Sequence, residues 1–147
     1  ETGRNARVES DLARVRSLPG YASVRPVGCP AVSSLWRRIT NHRSNTVFRR
    51  AVSDREAPGY STRIHFPVDL GLVRRMMTAG LLRTVEGVHL RLGLMCHNCV
   101  KFNGREGDYA AVARDFERHV DERVVEFLLE EHGAVTAAPA GAAVVGG

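Results

Sequence analysis

The chain has 147 residues, 44% hydrophobic and 25% charged, which suits one globular domain with a single core and excludes a disordered polymer. A net charge of +5 and a pI near 9.7 admit a polyanionic partner, but of the 21 basic residues only Lys101 is a lysine and the arginines are spread along the whole length. Such scatter argues against a dedicated DNA-binding strip and leaves only weak contact with a nucleic-acid backbone open.

No apolar run approaches a membrane span, and the tail from Ala134 to Gly147 is too short and Gly-rich to be one, so no membrane partner is expected. The chain opens on Glu1 rather than methionine and is expected to be an excised piece, with Glu1-Thr2-Gly3 a cloning scar.

Val8, Leu12, Val15 and Leu18 recur at helical spacing and are stopped by Pro19-Gly20, predicting a short N-terminal helix. After a Gly- and Pro-rich loop, Val32, Leu35, Trp36 and Ile39 mark a second helix running to about His42. Arg43 to Pro67 has no sustained period and reads as a long ordered loop with short turns, a kind of segment that usually carries function.

Asp69 is placed to cap a helix through Met77, with Val73, Met76 and Met77 inward and Gly80 as its stop. Thr84 caps the next, whose Val85, Val88, Leu92, Met95, Cys96 and Cys99 share one face. Gly87 and Gly93 inside it each cost about 1 kcal/mol against Ala, which predicts close helix packing there. Asp108 opens the last and longest helix, with Val112, Phe116, Val120, Val124, Phe127 and Leu128 inward and Gly133 as its end. No run alternates long enough to make a sheet, so the domain is predicted all-α, most simply four helices with one long loop between the first and second.

Cys29, Cys96 and Cys99 are too few and too uneven for a disulfide framework. Cys96-His97-Asn98-Cys99 has C-x-x-C spacing, but at the end of a helix the dipole opposes a reactive thiolate, and no second Cys or His pair completes a zinc site. Core cysteines are the expectation. The six histidines form no motif with a carboxylate or nucleophile, so neither enzyme, metal nor cofactor is predicted.

The most informative stretch is Met95 to Gly104, where an apolar helical pattern ends on Asn98, Asn103 and Gly104. Asparagine and glycine are what helices end on. An amide at the mouth of an apolar core is equally suited to hold a neutral polar ligand.

A helix, a long loop with Pro58-Gly59-Tyr60, the sequence Phe66-Pro67-Val68-Asp69-Leu70, two closely linked helices and then Asn98-Cys99-Val100-Lys101-Phe102-Asn103 together resemble a bromodomain, from about Ala31 to Leu129. The Arg-heavy, divergent composition is similar to that of bromodomain factors of kinetoplastid protists. The resemblance implies a left-handed four-helix bundle over residues 29–133, preceded by an N-terminal extension (1–28) with a short helix and followed by a flexible Ala/Gly-rich tail (134–147).

It also implies a non-catalytic acetyl-lysine reader, a monomer in the nucleus, binding acetylated histone tails in chromatin-linked transcription regulation. By the same resemblance, Asn103 would hold the acetyl carbonyl and Tyr60 would reach it through an ordered water. Phe48 and Val52 would form an apolar wall, Phe102 would precede the anchor, and Tyr109 would narrow the entrance as gatekeeper. Asn98 would tie the long loop to the bundle.

Where many relatives have Trp-Pro-Phe, this chain has Thr46-Val47-Phe48, and Arg63 stands where an apolar residue is usual. Asp54, Glu56, Glu106 and Asp108 are expected to frame the slot and attract a basic peptide. An unmodified lysine is expected to be rejected because its ammonium would meet apolar walls with no compensating carboxylate. The alternative reading keeps the fold and loses the pocket, leaving a protein or nucleic-acid interaction scaffold.

Overall fold

The computed structural model describes residues 6–136. The expected scar and all but the first residues of the expected tail therefore lie outside the described residues.

The helices, in chain order, are α1 (Ala6–Arg16), α2 (Pro19–Ala22), α3 (Pro30–Thr40), α4 (Asn45–Phe48), α5 (Tyr60–Arg63), α6 (Leu70–Thr78), α7 (Val85–Asn103) and α8 (Asp108–Thr136). No strand occurs among the described residues, as the patterning predicted. The long loop is held in shape by α4 and α5, each a single turn. Pro19 does not simply end α1: the chain frees itself at Ser17-Leu18 and Pro19 then occupies the first turn of α2, where its missing N–H would have had no helical partner. The last helix runs through Gly133 to Thr136, a few residues past the end expected at Gly133.

The bundle is built on α8, a rod about 43 Å long at 1.5 Å per residue. Helix α7 packs along it most extensively, α1 and α3 pack on it as well, and α6 packs on α7. The face of α7 that the spacing selected (Val85, Val88, Leu92, Met95, Cys96, Cys99) is buried throughout. On α8, Phe116, Val120, Val124 and Leu128 are almost fully enclosed. Helix α1 contributes to this same core, with Leu12 and Val15 both at 0% exposure.

Two side-chain caps set where the helices begin. Asp69 accepts from the Leu72 N–H to start α6, and Thr84 accepts from the Gly87 N–H at 2.9 Å to start α7. The expectation of close helix packing at both interior glycines of α7 is corrected. A methyl group at Gly87 would meet Leu82 and the Thr84 cap at 3.1 Å, which is a local turn contact, while at Gly93 it would meet nothing within 4 Å.

A buried polar chain crosses this core. The Tyr21 hydroxyl lies 2.8 Å from His89 Nδ1, and His89 Nε2 lies 2.7 Å from Asp121 Oδ1. It joins α2, α7 and α8 through three side chains that are all nearly inaccessible.

Candidate functional site: an open cavity at the C-terminal end of α7

Two glycines in left-handed conformations fix the local geometry. Gly59, at φ 82°, turns the long loop into α5 so that Tyr60 starts the turn facing inward. Gly104, at φ 94°, stops α7 immediately after Asn103. Both conformations are strained for any residue with a Cβ. They place the last turn of α7 against the loop and the first turn of α8.

Between these segments lies a cavity of about 880 Å³. Phe48, Val52, Tyr60, Phe102, Asn103 and Tyr109 all line it, so residues far apart in sequence meet at one place. Their environments differ. Phe48 is buried and packs at 5.3 Å between ring centres on the core residue Phe116, making it the back wall. Tyr60 is buried, with its ring edge-on to Phe102 at 5.0 Å. Val52 and Tyr109 are 43% and 57% exposed, which puts them at the mouth.

The Asn103 side-chain N–H₂ donates to the Cys99 carbonyl at 2.9 Å, one turn back on its own helix. The same N–H₂ also donates to Cys99 Sγ at 3.7 Å, a longer and weaker contact that a ligand oxygen would have to displace, while the amide oxygen has no partner among the described residues. The Tyr60 hydroxyl has no hydrogen-bond partner among the described residues. Burial pushes its pKa up, helped by the nearby Cys99 and Asp69, so it stays a neutral donor.

Asn98 is outside the cavity lining. It is buried on α7 and donates to the Phe66 carbonyl at 2.9 Å, bridging the bundle and the end of the long loop. Arg63 is not a loop filler. Its guanidinium sits over the Phe102 ring at 5.2 Å and donates to the Lys101 and Phe102 carbonyls at 3.0 and 3.3 Å.

The expected acidic frame is only partly present. Glu56 lines the cavity, whereas Glu106 and Asp108 do not. Asp54 is committed to the Ser61 N–H and hydroxyl, hydrogen bonds that pull its pKa down. Nor is the cavity free of carboxylate: Asp69 and Glu56 both line it, together with Arg50 and Arg55. The expected ground for rejecting an unmodified lysine is thereby corrected. Two acids and two bases leave the lining with no net charge to hold an ammonium, and Asp69 is already spent on capping α6.

Cys99 and Val68 also line the cavity. The sequence marks the first as core only, yet it lies four residues before Asn103 on the same helical face, a spacing that carries the signal. Burial pushes the Cys99 thiol up and the Cys96 thiol much further, so both are held protonated. Among the described residues no group of His, Cys, Asp or Glu is arranged to hold a metal ion, and no helix is long and apolar enough to cross a membrane.

A sequence model of the bromodomain family matches residues 32–115. A crystal structure of TcBDF5, a bromodomain-containing protein from Trypanosoma cruzi, superposes with a TM-score of 0.51 at 18% identity, covering 94% of this chain and 97% of that one. At that identity the likeness is one of fold, and it extends beyond the matched segment to the N-terminal helices. With more than half of its residues matched, and with the helical bundle and long loop that the sequence resemblance implied, the chain belongs to the bromodomain family.

Proposed function

We propose that this protein is a reader of acetylated lysine, with the cavity at the end of α7 as its binding slot and acetylated histone tails in the nucleus, in chromatin-linked transcription regulation, as its partners. The observation that carries the reading is the convergence of Asn103, Tyr60, Phe48, Val52, Phe102 and Tyr109 on one cavity. Membership of a family whose members bind acetylated lysine supports it.

Acetylation removes the lysine charge and leaves an amide, which can enter an apolar slot if its oxygen finds a donor. Asn103 would exchange its long contact with Cys99 Sγ for the acetyl carbonyl, and its amide oxygen matches the N–H of an acetyl-lysine. Tyr60 supplies a second donor, reaching the carbonyl through a water. The ammonium of unmodified lysine is excluded by desolvation in a site whose lining charges cancel. Nothing in this role needs a nucleophile, so the module is non-catalytic, and it acts as a monomer.

Calorimetric titration of acetylated and unmodified histone-tail peptides tests the reading. Wild type should bind acetylated peptides selectively. Asn103→Ala should weaken binding by about 1 to 3 kcal/mol while the circular dichroism spectrum is unchanged. Equal affinity for acetylated and unmodified peptides, or none for either, would move the protein to the scaffold class instead. The backward turn of the Asn103 amide onto Cys99 is the observation that keeps that class in view.

A further inference from the structure

A second cavity, of about 430 Å³, lies at the opposite end of α6 from the first. It is walled by the segment from Arg25 to Cys29, one side of α3 from Val32 to Thr40, the C-terminal half of α6 and the turn at Leu82-Arg83. Arg25, Arg37, Arg74 and Arg83 all face it, although they stand far apart in the sequence. No carboxylate lines it.

Only one of the four arginine side chains is neutralised by an ion pair. Arg25 is held by Glu131 at 2.7 and 2.8 Å. Its backbone is tied to Arg83 by both groups: the Arg25 N–H donates to the Arg83 carbonyl, and the Arg83 side chain donates through Nε to the Arg25 carbonyl, both at 2.9 Å. That leaves the two terminal nitrogens of Arg83 free of the contact. Arg37 and Arg74 are exposed and have no ion-pair or hydrogen-bond partner for their guanidinium groups among the described residues.

The remaining polar groups point the same way. Trp36 is packed on the core by its ring, lines the cavity, and has no partner for its indole N–H among the described residues. The Thr40 and Thr78 hydroxyls are spent as donors to carbonyls of their own helices. The Cys29 thiol, at the start of α3, is drawn below its usual pKa chiefly by the Val32 N–H, with the Ala31 N–H and the Arg25 charge adding to it against burial. The wall is therefore rich in donors, positively charged and partly aromatic.

We infer that this cavity is a docking site for the phosphodiester backbone of nucleic acid, with Arg37, Arg74 and Arg83 as its phosphate contacts and Trp36 as an apolar platform beside them. Guanidinium forks match phosphate oxygens, and each contact releases condensed counterions. A polyanion also answers the net charge of +5 over the whole chain. The inference does not rest on acetyl-lysine binding, because the two cavities share no lining residue.

Trp36 is the chain's single tryptophan, so its fluorescence reports on this cavity directly. A short DNA duplex would be titrated into the full chain from about 50 to 200 mM NaCl, following Trp36 emission and the anisotropy of labelled DNA. The comparison is between wild type, the double variant Arg37→Ser/Arg74→Ser, and Arg7→Ser/Arg14→Ser, which removes the same charge from exposed positions on α1. Losing two phosphate contacts should weaken binding about tenfold and flatten the slope of log affinity against log salt by about 2. The α1 variant should keep the slope and the Trp36 response. Equal losses in both variants would reduce the effect to net charge and overturn the site. So would a Trp36 signal that saturates as readily with polyglutamate as with DNA, which would assign the cavity to an acidic peptide.

Discussion

The guanidinium of Arg63 lies 5.2 Å over the Phe102 ring while donating to the Lys101 and Phe102 carbonyls at the end of α7. It satisfies backbone acceptors that the helix leaves open, and places positive charge at the negative end of the helix dipole. Phe102 in turn meets Tyr60 edge-on at 5.0 Å. The stack thus ties α5 to the turn that carries Asn103.

Arg63→Ala should destabilise the domain by about 1 kcal/mol, the scale of an exposed cation–π contact with helix-end hydrogen bonds. Urea unfolding measures this. If the stack also positions Asn103, affinity for an acetylated peptide should fall in a variant that is still fully folded at the assay temperature, and Arg63→Lys, which keeps the charge but loses the fork, should recover only part of it.

The Tyr21, His89 and Asp121 chain binds the N-terminal segment to the bundle. Tyr21→Phe removes one partner of a buried ring nitrogen and should cost about 1 to 3 kcal/mol. A chain beginning at Cys29 would lose this link and also expose the surfaces that Leu12 and Val15 cover. Its denaturant midpoint should fall well below that of Tyr21→Phe. Equal midpoints would mean that the N-terminal helices add nothing to stability beyond the Tyr21 hydrogen bond.

His42 predicts a pH dependence. Its Nδ1 accepts from the Ser44 N–H at 3.0 Å, which leaves Nε2–H to face Asp115 at 3.2 Å. Burial, then the neighbouring His119 and Arg43, lower its pKa below 6.5, against the opposing pull of Asp115. The unfolded chain therefore takes up the proton first. The contribution of His42 is present above about pH 6.5 and is lost as pH falls from there through the lower folded value. Asn at this position can accept from Ser44 without titrating. His42→Asn should thus flatten the stability profile below neutral pH, read by thermal melts at a series of pH values. An unchanged slope would place the titration elsewhere.

Gly93→Ala should stabilise the protein by about 1 kcal/mol, since the position is helical and the added methyl meets nothing. Gly87→Ala should gain less or lose stability, because the methyl would press on Leu82 and the Thr84 cap. Chemical denaturation of the two variants side by side gives the comparison.

Much of this molecule is legible in its sequence because the signals are local. Asp69 and Thr84 announce helix starts, the apolar face of α7 is read from spacing alone, and the loop motif with Asn98 to Asn103 carries the family. Those features depend on neighbours within a turn or two, where residue chemistry decides the outcome. In the sequence Arg63 stands only as a departure from the usual residue, since its role needs Phe102, brought near by the loop. The carboxylate of Asp69 is legible as a cap, but its presence in the cavity lining is not.

Chain order and composition by themselves determined the helices, their buried faces and the residues from which a slot could be made. The tertiary structure alone decided how distant charges meet. Arginines scattered along the chain converge at one end of α6, while two acids and two bases cancel at the other. Helix periodicity is written every three or four residues, but the position of a side chain across a bundle follows from how whole helices pack, and no single segment encodes that.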